Sequence, residues 1–164
     1  MKWIPHRPRT SRPLAAVAVV ASLLLGTGCG GAAPRPATLD RAHDACGSCR
    51  MVVSDPRMAI QVVAPLEEPR FFDDFGCVAR YVQAAPLPAG GTVYVSDHWT
   101  QAWIRADQAI YSRVSGFSAP MGSHVMAHES EASRQADPAA AGGVVIAARE
   151  VFPASVLRVS GGAR

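Results

Sequence analysis

The chain has 164 residues, with 16 basic and 13 acidic groups, a formal net charge of +3 and a mean hydropathy of +0.10. Four of the basic residues, Lys2, Arg7, Arg9 and Arg12, stand at the start, where there is no acidic residue. Setting aside residues 1–28 leaves 12 basic against 13 acidic residues, a net of −1, so the apparent basicity gives no ground for a nucleic-acid-binding protein.

The basic start is followed by the unbroken apolar run Leu14 to Leu25, "LAAVAVVASLLL", and then by "GTGCG". The run is shorter than the roughly 20 residues a membrane-spanning helix needs. A basic region, a short apolar region and small residues before a cut site read as a secretory signal peptide over residues 1–28. Cys29 directly after the small residues resembles a lipobox cysteine, which would make it the lipidated first residue of the mature chain. Residues 29–40 are rich in Gly, Ala and Pro and read as a flexible tether. An exported domain meets an oxidising compartment, where disulfides persist. With Cys29 lipidated, three thiols remain, Cys46, Cys49 and Cys77, and an odd number suits a purely structural disulfide framework poorly.

Residues 41–153 form the expected folded body. Met51 to Val53 and Met58 to Ala64 are β-rich runs around a "SDPR" turn. Arg70 to Phe72 is a short strand. Asp73 or Asp74 caps a helix running to about Gln83, with Phe75, Val78, Ala79 and Val82 at helical spacing. "TVYVSD" is a strand. "AWIRADQAIYSRV" supplies two more β-rich runs, "GFSAPMGSHV" is a loop, "HESEASRQADP" is a polar helix and "GGVVIAARE" is a final strand. The order strand, strand, helix, strand thus occurs twice, over about 46–97 and 98–152. It predicts an α+β fold of two small β-β-α-β units in tandem. Residues 154–164 read as a disordered tail.

The stretch "DACGSCRM" carries the first candidate chemistry. A C-x-x-C alone fits a zinc half-site, a redox dithiol or a disulfide. A zinc site needs further close ligands. A thioredoxin-like site needs a helix after the motif to depress the thiol pKa, and here a β-rich, turn-like stretch follows. Neither reading uses Met51. If the stretch is extended, Cys49 and Met51 project from one face, and thiolate with thioether is a soft donor pair that selects Cu(I). A further ligand is sought in "SAPMGSHVMAHES". Met121, in a Gly/Pro loop, is the leading candidate. His124 and His128 are weaker candidates that also suit a solvated surface, and Met126 reads as core. His98 and His43 are weaker still. Cys46 is a ligand, a disulfide partner or a spare thiol, and Cys77 reads first as a buried small hydrophobe. No Ser-His-Asp set, phosphate loop or carboxylate pair points to an enzyme.

Taken in order, "CGSCRM", "FFDDFGCVARYV", "VYVSD", "AWIRADQAIY" and "SAPMGS", after a leader ending at Cys29, resemble the NosL family of lipoprotein copper chaperones that serve maturation of nitrous oxide reductase. The resemblance implies a bacterial cell-envelope protein, lipid-anchored and facing the periplasm, that binds Cu(I). It implies delivery through the nitrous oxide reductase maturation machinery, with the periplasmic component of a membrane ABC transporter complex and the apo-reductase as partners. The family's C-x-M pair falls on Cys49 and Met51 and its loop methionine on Met121, with Cys46, Cys77 and His124 as secondary candidates. Two other expectations stay open: an envelope thiol–disulfide oxidoreductase using Cys46 and Cys49, and a structural lipoprotein whose cysteines only form a disulfide.

Overall fold

The computed structural model describes Met1 and residues 33–159. The expected signal peptide and the lipidation at Cys29 lie outside the described residues. Among the described residues, no helix is long and apolar enough to cross a membrane.

The body contains two antiparallel sheets. Strand β1 (Ile60–Val63) is buried along its whole length, its one polar side chain, Gln61, included. It pairs on one side with β2 (Arg70–Phe72) and on the other with β3 (Thr92–Ser96). Strand β4 (Trp103–Arg105) extends this sheet beside β3. In the second sheet β5 (Ile110–Arg113) lies between β6 (Val125–His128) and β7 (Val144–Ile146). Each half therefore places its first strand centrally, in the orders β2-β1-β3-β4 and β6-β5-β7. The α+β class and the twofold recurrence of strand, strand, helix, strand hold in the structure.

Helix α1 (Phe75–Ala84) follows β2. Asp74 caps it by accepting the Gly76 N–H, and the helix stops before Pro86 as the residue preceding a proline leaves the helical region. Its inner side chains are Phe75, Cys77 and Val78. Helix α2 (Glu131–Ala136) is shorter, capped by Ser130, and buries no side chain. One core crosses both halves: the rings of Phe75, Tyr111 and Phe152 meet edge to face with centroids 5.8–6.0 Å apart.

The sequence reading differs from the structure in five places. Met51 to Val53 is not a strand; only an isolated bridge joins Val52 to Ala45. Trp103–Arg105 belongs to the first sheet, so the topological boundary between the units falls after it rather than near residue 98. Val125–His128, read as loop and helix start, is a fully buried strand; the polar residues on either side masked it. The expected tail carries α4 (Ala154–Val159), which follows the short helix α3 (Ala148–Val151). Phe152 and Val156, four apart, both enter the core, and that burial orders the segment. The end of the expected tether is also held: the Gln61 side chain exchanges two hydrogen bonds with the Ala37 backbone, and the Tyr94 hydroxyl donates to the Pro34 carbonyl at 2.6 Å.

Candidate metal centre

The C-x-x-C segment is a tight turn laid over the end of β2. The Val53 N–H donates to the Asp44 carbonyl at 2.9 Å and the Cys46 N–H to the Met51 carbonyl at 2.7 Å, so Met51 stands across from Cys46. The loop closes with Arg50 at a φ of +68°, and the Arg50 N–H reaches the Cys46 carbonyl at 3.0 Å. This left-handed residue breaks the extended geometry on which the same-face pairing of Cys49 and Met51 was expected. Met51 is instead placed by its register against Cys46. Gly47 is required by close approach: its N–H donates to the Phe71 carbonyl at 2.8 Å, and a Cβ there would lie 3.1 Å from the Phe72 ring.

Helix α1 brings Cys77 to this turn. The sulfurs of Cys46, Cys49 and Cys77 all lie within 4.8 Å of one another, and none is in a disulfide. Cys46 and Cys77 are fully buried, while Cys49 is half-buried. The environments push the thiols apart in acidity. Burial alone would raise the Cys46 thiol, but the backbone N–H groups of Cys49, Ser48 and Asp73, aided by the Cys49 thiol, hold it below its ordinary value. Burial, together with the neighbouring Cys46 and Cys49, raises Cys77 to about 12. The turn's amides therefore favour a thiolate where sequence reasoning found no helix to do so. Arg80, one turn along α1, sets its guanidinium 3.4 Å from the Cys77 sulfur and 3.5 Å from the Ser48 hydroxyl. A cation there offsets negative charge gathered by ligating thiolates.

The loop carrying Met121 is fastened to the start of α1. One carboxylate oxygen of Asp74 caps the helix at Gly76 (2.6 Å); the other accepts the Ser123 hydroxyl at 2.9 Å and the Met121 N–H at 3.4 Å. A Cβ on Gly76 would lie 4.0 Å from the Met121 Cβ, so this methionine borders the residue preceding Cys77. Met51 and Met121 are 49 % and 37 % exposed. The structure thus joins the three thiols; it sets the Met51 backbone across from Cys46 and fastens the Met121 backbone to the start of α1, with both side chains partly open to solvent. His124 is exposed and its Nδ1 is engaged by the Phe117 carbonyl at 2.6 Å. Met126 is buried, as expected of a core residue. A cleft of about 370 Å³ is lined by Arg41, Ser54, Asp55, Pro56, Arg57 and Gln101 and contains none of these sulfurs.

Sequence reasoning missed two contributors. Arg80 carries a signal in retrospect, lying three residues past Cys77 on the same helix and so on the same face. The second role of Asp74 had none, because its partner Ser123 is 49 residues away.

Comparison with curated proteins and with solved structures gave no match. The family model for NosL matches residues 36–156, nearly the whole described body and all the residues of the sulfur cluster. That match supports a copper-related role and agrees with a thiol cluster able to hold a metal. The chain belongs to the NosL family.

Proposed function

We propose that this chain is a Cu(I) metallochaperone of the bacterial cell envelope, a carrier rather than a catalyst. Copper is its cargo, held by sulfur. The observation that carries the reading is the convergence of the Cys46, Cys49 and Cys77 sulfurs within 4.8 Å; the exposed Met51 lies across the turn from Cys46, and the exposed Met121 is on the loop tied to the start of α1. Three sulfurs about 2.3 Å from a central ion sit roughly 4 Å apart in a plane, so small movements suffice to close the set. Cys49, the least buried thiol, is the ligand through which copper enters and leaves, and Met51 and Met121 are the thioethers that receive it on the way.

The family suggests the destination: nitrous oxide reductase, reached through the periplasmic component of a membrane transporter complex, with the chaperone held to the membrane by lipid on Cys29. The test is X-ray absorption on the Cu(I)-loaded chain. A first shell of sulfur alone is expected, and a shell with nitrogen ligands would overturn the assignment. Transfer to apo nitrous oxide reductase is then measured for Met51→Ala and Met121→Ala. Slower transfer with little loss of affinity is expected; wild-type transfer in both variants removes the methionines from the mechanism.

One observation favours a second reading, a thiol–disulfide oxidoreductase, since the Cys46 thiol is held acidic inside a C-x-x-C. Its complete burial opposes that role, because a nucleophilic thiol needs access to its substrate. Rapid thiol exchange with a small disulfide, in a chain that binds no Cu(I), would favour this reading.

A further inference from the structure

A second set of ligand-type side chains lies apart from the sulfurs in sequence and chemistry. His98 follows β3, His128 ends β6, and Asp137 sits between α2 and the 3-10 turn Pro138–Ala140. His98 Nδ1 and His128 Nε2 approach the same oxygen, Asp137 Oδ2, at 2.5 and 3.0 Å. The three donor atoms lie within 4.8 Å of one another, and the side chains are only 2 %, 0 % and 3 % exposed. The other Asp137 oxygen is engaged by the Ala139 N–H at 2.9 Å.

The fold holds this set from behind. The His98 N–H donates to the Ala127 carbonyl, next to His128. The neighbouring Asp97 carboxylate accepts the N–H groups of Trp99, Thr100 and Glu129 and the Ser133 hydroxyl, tying the His98 turn, the end of β6 and α2 together. Ligands fixed in this way from an outer layer are pre-organised for an ion.

Two imidazoles and one carboxylate that converge on a point and are almost wholly buried are the donor set of a borderline divalent cation, and contain no sulfur for Cu(I). Both rings turn one nitrogen to the same carboxylate oxygen, and the outward nitrogens, His98 Nε2 and His128 Nδ1, are buried without a hydrogen-bond partner.

We propose that His98, His128 and Asp137 form a buried site for a divalent cation of the Zn(II) class, distinct from the sulfur cluster. Each neutral imidazole binds through its inward nitrogen and carries its proton on the outward one. The ion pins the turn after β3, the end of β6 and the segment beyond α2. The assignment does not depend on copper binding.

Co(II) titration of the reduced full chain tests it. Thiolate ligation gives an intense sulfur-to-cobalt charge-transfer band, and imidazole–carboxylate ligation does not. One equivalent of Co(II) is expected to bind with ligand-field bands alone and to be displaced by Zn(II). Asp137→Asn, which keeps an acceptor for the Ala139 N–H, is expected to weaken that equivalent at least tenfold and leave any thiolate-bound component unchanged. His128→Gln, on another element, is expected to do the same, and circular dichroism reports whether each variant is folded. Bound Co(II) showing only the thiolate band, no bound Co(II), or wild-type binding in both folded variants would overturn the proposal.

Discussion

Replacing Asp74 by Ala removes two functions at once, and their sizes differ enough to be separated. The residue is fully buried; it caps α1 at Gly76 and holds Ser123 and Met121 from the other half. Loss of an N-cap costs about 1 kcal/mol. Loss of the charge-assisted bond to Ser123 costs about 1.5–3 kcal/mol, and the 3.4 Å contact to the Met121 N–H adds little. Part of this is returned because a buried charge is no longer desolvated. A net loss of about 2–4 kcal/mol is expected. With a urea m-value of about 1–3 kcal/mol/M, that moves the unfolding midpoint by roughly 1 M or more. Ser123→Ala removes the tether and keeps the cap, so it is expected to cost about 1.5–3 kcal/mol, less than Asp74→Ala by the contribution of the cap. Urea denaturation of the reduced, metal-free chain reads both. A loss below about 1 kcal/mol in Asp74→Ala, or equal losses in the two variants, refutes the division between cap and tether. Slower copper transfer in Ser123→Ala, in a chain that is still folded, would link the loop's position to Met121.

Other outcomes follow from the same geometry. Cys77→Ser is expected to lower Cu(I) affinity at least a hundredfold with the fold retained, and competition with a Cu(I) chelator checks it; unchanged affinity returns Cys77 to the core. A thiol raised to about 12 is protonated at neutral pH, so copper must displace its proton, and apparent affinity is expected to rise as pH increases. A flat profile by chelator competition at mildly acidic and mildly alkaline pH would contradict Cys77 ligation. Arg80→Gln is expected to weaken copper binding less than about tenfold, with the difference shrinking in high salt, because Arg80 is an exposed residue. Gly47→Ala is expected to destabilise the chain by about 1–3 kcal/mol in urea, since the new methyl group meets the Phe72 ring at 3.1–3.3 Å.

What could be read in the sequence was local. The β-rich run of β1, the cap and inner face of α1 and the stop before Pro86 are written within a few residues of where they act. The pairing of three thiols was not, since Cys77 lies 28 residues beyond Cys49 and its inward direction depends on how α1 packs under the turn. The Cys49–Met51 pairing was reached by assuming an extended chain, and Arg50 at positive φ removes that geometry: Cys49 joins the other two thiols, while the Met51 side chain is exposed. Strand β6 and helix α4 escaped detection because tertiary burial, rather than a local pattern, orders them. His98 and His128 looked like weak or surface histidines because nothing local reveals Asp137, which reaches them only after α2 turns the chain back.

The two units share a topology, and their different chemistry follows from how each closes the junction between strand and helix. In the first, β2 passes through Asp73 and Asp74 into a ten-residue helix, whose first turn carries Cys77 inward against the C-x-x-C turn. In the second, β6 passes into a six-residue helix that buries no side chain, so no group on α2 can fill the equivalent space. His128 fills it from the strand and Asp137 from beyond the helix. The first arrangement grades its donors by depth, from buried thiols through Cys49 to exposed thioethers, and so suits an ion that must leave. The second is almost fully buried, with its segments tied by the hydrogen bonds of Asp97 and the cap at Asp137, and so suits an ion that stays. Hard–soft preference keeps the two apart, because sulfur donors hold Cu(I) while imidazole and carboxylate favour the divalent ion.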